Sequence, residues 1–290
     1  MGANHSSLPR RLPVIPPAEP DELLSSWLKR IAKVYVVRPH DLLAHMGLSS
    51  PSVERLDHDL SLAQAIVISG FVNRAPDDIT RMTHTRLTQD CRPFLQSQRL
   101  HQRCPTCTMR QADTKASGAI LRSWMQGWRI SCRACGSRLT DIAPRAPGGD
   151  DAIPDNILTD AHEGQHLFES YATGTTAFDL SPVTMFTLLT RRRIPDGLEF
   201  RLDPGRPYRV ISLFVDYAEL AGGQSINGIL GKVGAYPMPV RSALLAGLAR
   251  AMRAPLETIE LLRSYKIISL RDLLEQDPFW GPRSQLGQLT

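Results

Sequence analysis

Four cysteines constrain this chain more than any other feature: Cys104-Pro-Thr-Cys107, a spacer of 24 residues, then Cys132-Arg-Ala-Cys135. Two Cys-x-x-Cys knuckles can set four thiolates at the corners of a tetrahedron around Zn²⁺, each about 2.3 Å from the metal. Soft anionic sulfur then fills every coordination position, so no place is left for a water or a substrate. The spacing predicts one structural zinc ion, held by Cys104, Cys107, Cys132 and Cys135, that fixes shape and performs no chemistry. The competing reading is free or disulfide-bonded cysteines. Disulfide frameworks belong mostly to short secreted chains, and here four of only five cysteines fall into the knuckles. Cys91, the fifth, reads as a small buried apolar residue. His101, three residues before the first knuckle, reads as an exposed loop histidine rather than a substitute ligand.

The spacer predicts a hairpin between the knuckles. Trp124, Trp128 and Ile130 alternate with Ser123, Gly127, Arg129 and Ser131, so a strand here turns its large residues to one side. A zinc-centred module this small needs such an apolar cap, which makes the tryptophans core residues first and base-stacking residues second.

Charge is concentrated on the same stretch. The whole chain of 290 residues carries a formal net charge of only +5. Between Arg92 and Leu139, however, nine basic residues face Asp113 alone. A basic zinc module is the footprint expected for phosphate contacts, with Arg122, Arg129, Arg133 and Arg138 as the nucleic-acid-binding candidates. A solvated basic face, or a dock for an acidic protein, is the plainer alternative. The 42% hydrophobic content supports folded cores. No segment approaches the ~20 apolar residues of a membrane span and no signal peptide is visible, so a cytoplasmic, nucleoid-associated location without membrane contact is expected.

In chain order, residues 1–20 are proline-rich and predict an extended arm. Residues 21–90 predict a helical, helix-turn-helix-like domain. A first helix starts at Asp21 and Glu22, presents Leu24, Leu28, Ile31 and Tyr35 on one face with Leu23 and Trp27, and runs to about Val34. A second opens on Pro39 and stops near Gly47. The same grammar recurs over Leu62–Met82, with Asn73 as the break before Ala75-Pro76, and over Leu244–Leu262, with Ala254-Pro255 between the helices. The second helix of each pair starts on acid, at Asp41, at Asp77 and Asp78, and at Glu257, so these are structural pairs more than groove readers. Residues 91–142 form the predicted zinc-ribbon module, 143–154 a linker rich in Pro, Gly and Asp, 155–277 a C-terminal helical domain, and 278–290 a frayed tail. The fold class expected is mainly α, with helix-turn-helix-like helical pairs, a small four-cysteine zinc-ribbon module and a C-terminal helical domain. Helices are expected over Pro182–Arg193, Tyr208–Leu220 and Ser225–Val233.

One further pattern invites an enzymatic reading. His162-Glu163-Gly164-Gln165-His166 has the His-Glu-x-x-His form of zinc peptidases, where two imidazoles on one helix face bind the metal and the glutamate activates its water. Gly164 weakens the helix inside the motif, Asp160 stands where an apolar residue is usual, and nothing selects a third ligand among Glu169, Asp179 and Glu199. An exposed helical turn is the better reading, and no residue is assigned a catalytic role. No Gly-x-x-x-x-Gly-Lys-Ser/Thr loop is present, so nucleotide hydrolysis is not expected of this chain.

The order of parts, from Pro20-Asp21-Glu22-Leu23-Leu24-Ser25-Ser26-Trp27-Leu28 through a second helical pair to Cys104-Pro-x-Cys107, Trp124 and a second knuckle followed by Gly136 and Leu139, resembles the TniQ family over about residues 12 to 140. The family usually has Cys-x-x-His at the second knuckle, so Cys135 stands in the histidine position, a swap zinc accepts. Many relatives carry another Cys-x-x-Cys just downstream, whereas Asp141 to Pro147 contains no cysteine. The resemblance implies a non-catalytic target-selection adaptor of DNA transposition. Its implied partners are an AAA+ ATPase regulator, the transposase assembly and DNA, with a homodimer left open. A stand-alone zinc-containing DNA-binding regulator is the alternative, and the metallopeptidase a remote one.

Overall fold

A computed structural model describes residues 11–96, 102–142, 153–178, 180–189, 214–215 and 238–264. The protein is mainly helical and divides into two compact units. The first comprises residues 1–87, 102–126 and 131–140; the second comprises 88–101, 127–130 and 141–290.

In the first unit, α1 (Leu24–Val34) buries Leu24, Trp27, Leu28 and Ile31 completely, the face that the apolar spacing predicts. Its N-terminus differs from expectation. Asp21 and Glu22 lie outside the helix, and no acidic residue occupies the first turn. The carboxyl group that accepts the Ser25 N–H instead comes from Asp57, 2.9 Å away and buried. Then follow α2 (Pro39–His45) and α3 (Leu56–Asp59). Next come α4 (Leu62–Val72), opened by a reciprocal Ser61/Gln64 capping box, and α5 (Pro76–Arg81). Proline stands first in α2 and α5, and Gly47 and Asn73 sit at positive φ where α2 and α4 stop, so both helical pairs form as the punctuation predicts. The acidic starts are engaged locally: Asp41 with Arg38, and Asp77 and Asp78 with Arg81.

The helical core continues into the cysteine stretch, where β1 (Gln102–Arg103) pairs with β2 (Thr140–Asp141) and α6 (Pro105–Ala112) fills the first knuckle. Buried Arg30 on α1 donates to Glu22 at 2.6 Å and to the Lys115 carbonyl at 2.6 Å. Leu23 N–H donates to the Ile120 carbonyl, and Ile120 N–H to Ser26 Oγ, both at 2.9 Å. Asp21, in the left-handed region that aspartate tolerates, accepts from Ser123 N–H and Arg122. Neutral and charged hydrogen bonds thus fasten spacer residues 115–123 to the start of α1.

The expected hairpin does not form. Residues 122–125 make a 3₁₀ turn instead, and every residue from Ser123 to Ile130 is buried, so the two faces are not distinguished by solvent and the period-two reading fails. Trp124 and Trp128 are buried, as core residues should be.

The second unit contains α7 (Asp155–Ala172), α8 (Pro182–Leu189), α9 (Met238–Arg253) and α10 (Pro255–Ser264). Phe94, Trp128, Phe168 and Phe186 build its aromatic core, with Trp128 stacked on Phe168 at 5.1 Å. The last helical pair forms as read, with α9 starting six residues before Leu244 and Pro255 opening α10. Among the described residues no helix is long and apolar enough to cross a membrane. The helix expected over Tyr208–Leu220 apart from residues 214–215, the one over Ser225–Val233, the end of the one expected to Arg193, the tail, His101 and most of the linker lie outside the described residues.

Candidate metal centre

Cys104 caps the N-terminus of α6, its Sγ receiving the Cys107 N–H at 3.4 Å, so the helix turn itself brings the first two sulfurs together. The second knuckle is a tight turn. Gly136 N–H donates to the Cys132 carbonyl and Cys132 N–H to the Ser137 carbonyl, each at 2.8 Å, with Gly136 at a φ of 75° that glycine adopts without strain. An isolated bridge between Ser131 and Arg138 closes the loop, and Thr106 Oγ1 donates to Ser137 Oγ at 3.1 Å to tie the two knuckles.

The four sulfurs converge. Cys104 and Cys135 lie 3.4 Å apart, Cys107 lies 3.7 Å from Cys132 and 3.6 Å from Cys135, and all four atoms fall within 4.8 Å of one another. A tetrahedron with bonds of about 2.3 Å has edges near 3.8 Å, so the donor set and its spacing fit a zinc ion. Cys104, Cys107 and Cys132 are buried and Cys135 is exposed. Burial, followed by the neighbouring sulfurs, raises the thiols of Cys104 and Cys107. Hydrogen bonding from Ser137 lowers Cys135 to about 6. Thiols this close resist ionising together unless a cation sits among them, and a divalent metal supplies that charge. Arg110, one turn beyond Cys107, reaches to 3.9 Å of its Sγ and would offset the negative charge that four thiolates leave around a divalent ion. Sequence reading passed over Arg110, Thr106 and Ser137, although the i+3 position of Arg110 relative to Cys107 on a helix capped by Cys104 was a usable signal.

Cys91 lies apart from this cluster, fully buried, its thiol raised to about 12 by desolvation. The arginines separate into two kinds. Arg122 is ion-paired to Asp21, and Arg129, with a side chain only 4% exposed, is paired to Glu169 within the second unit. Arg133 is exposed and Arg138 half-buried, both on the second knuckle.

The His162–His166 motif lies on α7, with both imidazoles exposed, but Gly164 and Gln165 are buried. Gln165 accepts the Ile130 N–H at 2.9 Å, Glu163 is ion-paired with Arg253, and Asp160 with Arg250 and Arg253. A Cβ on Gly164 would stand 2.0 Å from the Leu245 carbonyl oxygen on α9. The motif's glycine therefore serves a helix crossing. Among the described residues, the four cysteines are the one group of three or more metal-capable side chains.

No curated protein and no solved structure matches the chain. A family model does: residues 13–137 match TniQ, a span that runs from the arm before α1 past both knuckles.

Proposed function

We propose that the chain is a non-catalytic adaptor of DNA transposition, linking a DNA target or a DNA-bound targeting complex to an AAA+ ATPase that licenses the transposase. The TniQ match over residues 13–137 carries this reading, since it points to transposition as the setting. The chemistry of the chain agrees with it. Four sulfurs spaced for a closed tetrahedral site have no open coordination position, so a bound zinc ion would hold α6 and the second knuckle together and supply no reaction.

The same reading makes Cys104, Cys107, Cys132 and Cys135 the ligands of one Zn²⁺. DNA contact, where it occurs, is assigned to Arg133 and Arg138 on the second knuckle, because Arg122 and Arg129 are committed to Asp21 and Glu169. The test is reconstitution of the purified chain with the ATPase encoded in the same mobile element, with and without DNA. A complex that forms without DNA supports the adaptor. Binding to one DNA sequence with a sharp footprint, and no association with the ATPase, replaces it with a stand-alone regulator.

A further inference from the structure

The turn between α1 and α2 presents apolar surface that no described residue covers. Val36 has a φ of 55° and is 91% exposed, and Val34 and Val37 beside it are 46% and 42% exposed. Val14 is 57% exposed and held nearby, its N–H donating to the Tyr35 hydroxyl at 2.8 Å and its carbonyl accepting from that hydroxyl at 2.9 Å. Backbone hydrogen bonds hold the turn, since Tyr35 caps α1 and Val36 and Val37 donate to the carbonyls of Lys33 and Ala32.

A β-branched residue in the left-handed region is disfavoured by the crowding of its Cβ against the backbone. The same unit places asparagine and glycine, which adopt that region easily, at the other turns of this kind, Asn73 and Gly47. Valine at position 36 therefore carries backbone strain, and among the described residues no burial offsets it. Exposed apolar residues grouped on a rigid turn are a feature of protein contact sites. The exposed charges next to them in sequence are positive, Lys33 before Val34 and Arg11 before Val14. Arg11 and Lys33 are exposed and carry no ion pair among the described residues, while Asp41 on α2 is engaged by both arms of Arg38.

We propose that the α1–α2 turn, together with Val14, docks a segment of a partner protein that carries large apolar side chains flanked by carboxylates, the valines receiving the former and Arg11 and Lys33 the latter. Nucleic acid is the poorer occupant, because the valines offer phosphate and sugar nothing to bond. A symmetric contact between two copies would set Arg11 and Lys33 against themselves. The inference stands independently of the transposition reading, since it rests on the turn alone.

The test uses the full chain and a fluorescent synthetic peptide with leucines at helical spacing and glutamate elsewhere, beside a lysine-for-glutamate counterpart and a duplex DNA. The expected result is binding of the glutamate peptide that weakens with added salt and falls roughly tenfold in the V36N/V37S variant. That variant should melt no earlier than the parent, because asparagine relieves the backbone at position 36. Equal binding of the lysine peptide, binding of DNA alone, self-association abolished by V36N/V37S, unchanged peptide binding in that variant, or no binding of the glutamate peptide each overturns the proposal.

Discussion

Replacing Gly164 with alanine separates two accounts of the His162–His166 stretch by sign alone. On an exposed helical turn, Gly→Ala stabilises by about 1 kcal/mol, because alanine restricts the unfolded chain and favours the helix. In this fold the new Cβ would stand 2.0 Å from the Leu245 carbonyl oxygen, 2.7 Å from its carbon and 3.1 Å from its Cα. Ordinary carbon–oxygen contact needs about 3.3 Å or more. All three atoms are backbone, so no side chain can rotate aside, and α7 must draw back from α9 by about 1 Å along an interface that buries Ala161, Phe168, Leu244 and Leu248. Overpacking of this kind costs about 1–3 kcal/mol and occasionally more, which exceeds the gain in helix propensity. The expected outcome is a net loss of about 1–2 kcal/mol, read as a lower urea midpoint in far-UV circular dichroism with the parent and variant measured side by side. A variant equal to or more stable than the parent would refute the close crossing of α7 and α9.

Other outcomes follow from the same geometry. Elemental analysis should find one zinc per chain, lost with Cys107→Ser and retained with Cys91→Ser and His162→Ala; zinc that survives the first and leaves with the last would restore the peptidase reading. Arg129→Ala should cost about 1–3 kcal/mol by removing the ion pair to the partly exposed Glu169, whereas Arg133→Glu, at an exposed position, should leave the melting temperature nearly unchanged, weaken DNA binding and flatten its salt dependence. Burial raises Asp57 from 3.8 to about 7, so the folded chain keeps a proton that the unfolded chain releases. This group's contribution is therefore fully present below about pH 4 and is lost as pH rises through about 7, on the order of 4 kcal/mol in all. Asp57→Asn should flatten that part of the stability profile, and an unchanged profile would show that Asp57 does not titrate there.

What the sequence displayed was local. Proline as the first helical residue at positions 39, 76 and 255, with Gly47 and Asn73 as stops, punctuates the helical pairs without help from the rest of the chain. The knuckles were legible for the same reason, since each pair of sulfurs is set by its own turn. The remainder depends on partners distant in sequence. Arg122 meets Asp21 across 101 residues and Arg129 meets Glu169 across 40, so a count of nearby charges saw free cations where the fold has ion pairs. Asp57, not the adjacent acids, serves the start of α1, 32 residues away from Ser25. The spacer's alternation of large and small residues suggested a strand because period two assumes one wet face, and here both faces are buried.

The most direct test of the adaptor account is a tagged pull-down from the native cell under nuclease treatment, with co-purifying proteins identified by mass spectrometry. The account predicts that an AAA+ ATPase stays with the chain after nucleic acid is destroyed, and that Cys107→Ser, which opens the metal centre, releases it. Loss of every co-purifying protein on nuclease treatment would contradict it and leave a chain whose associations run through DNA alone.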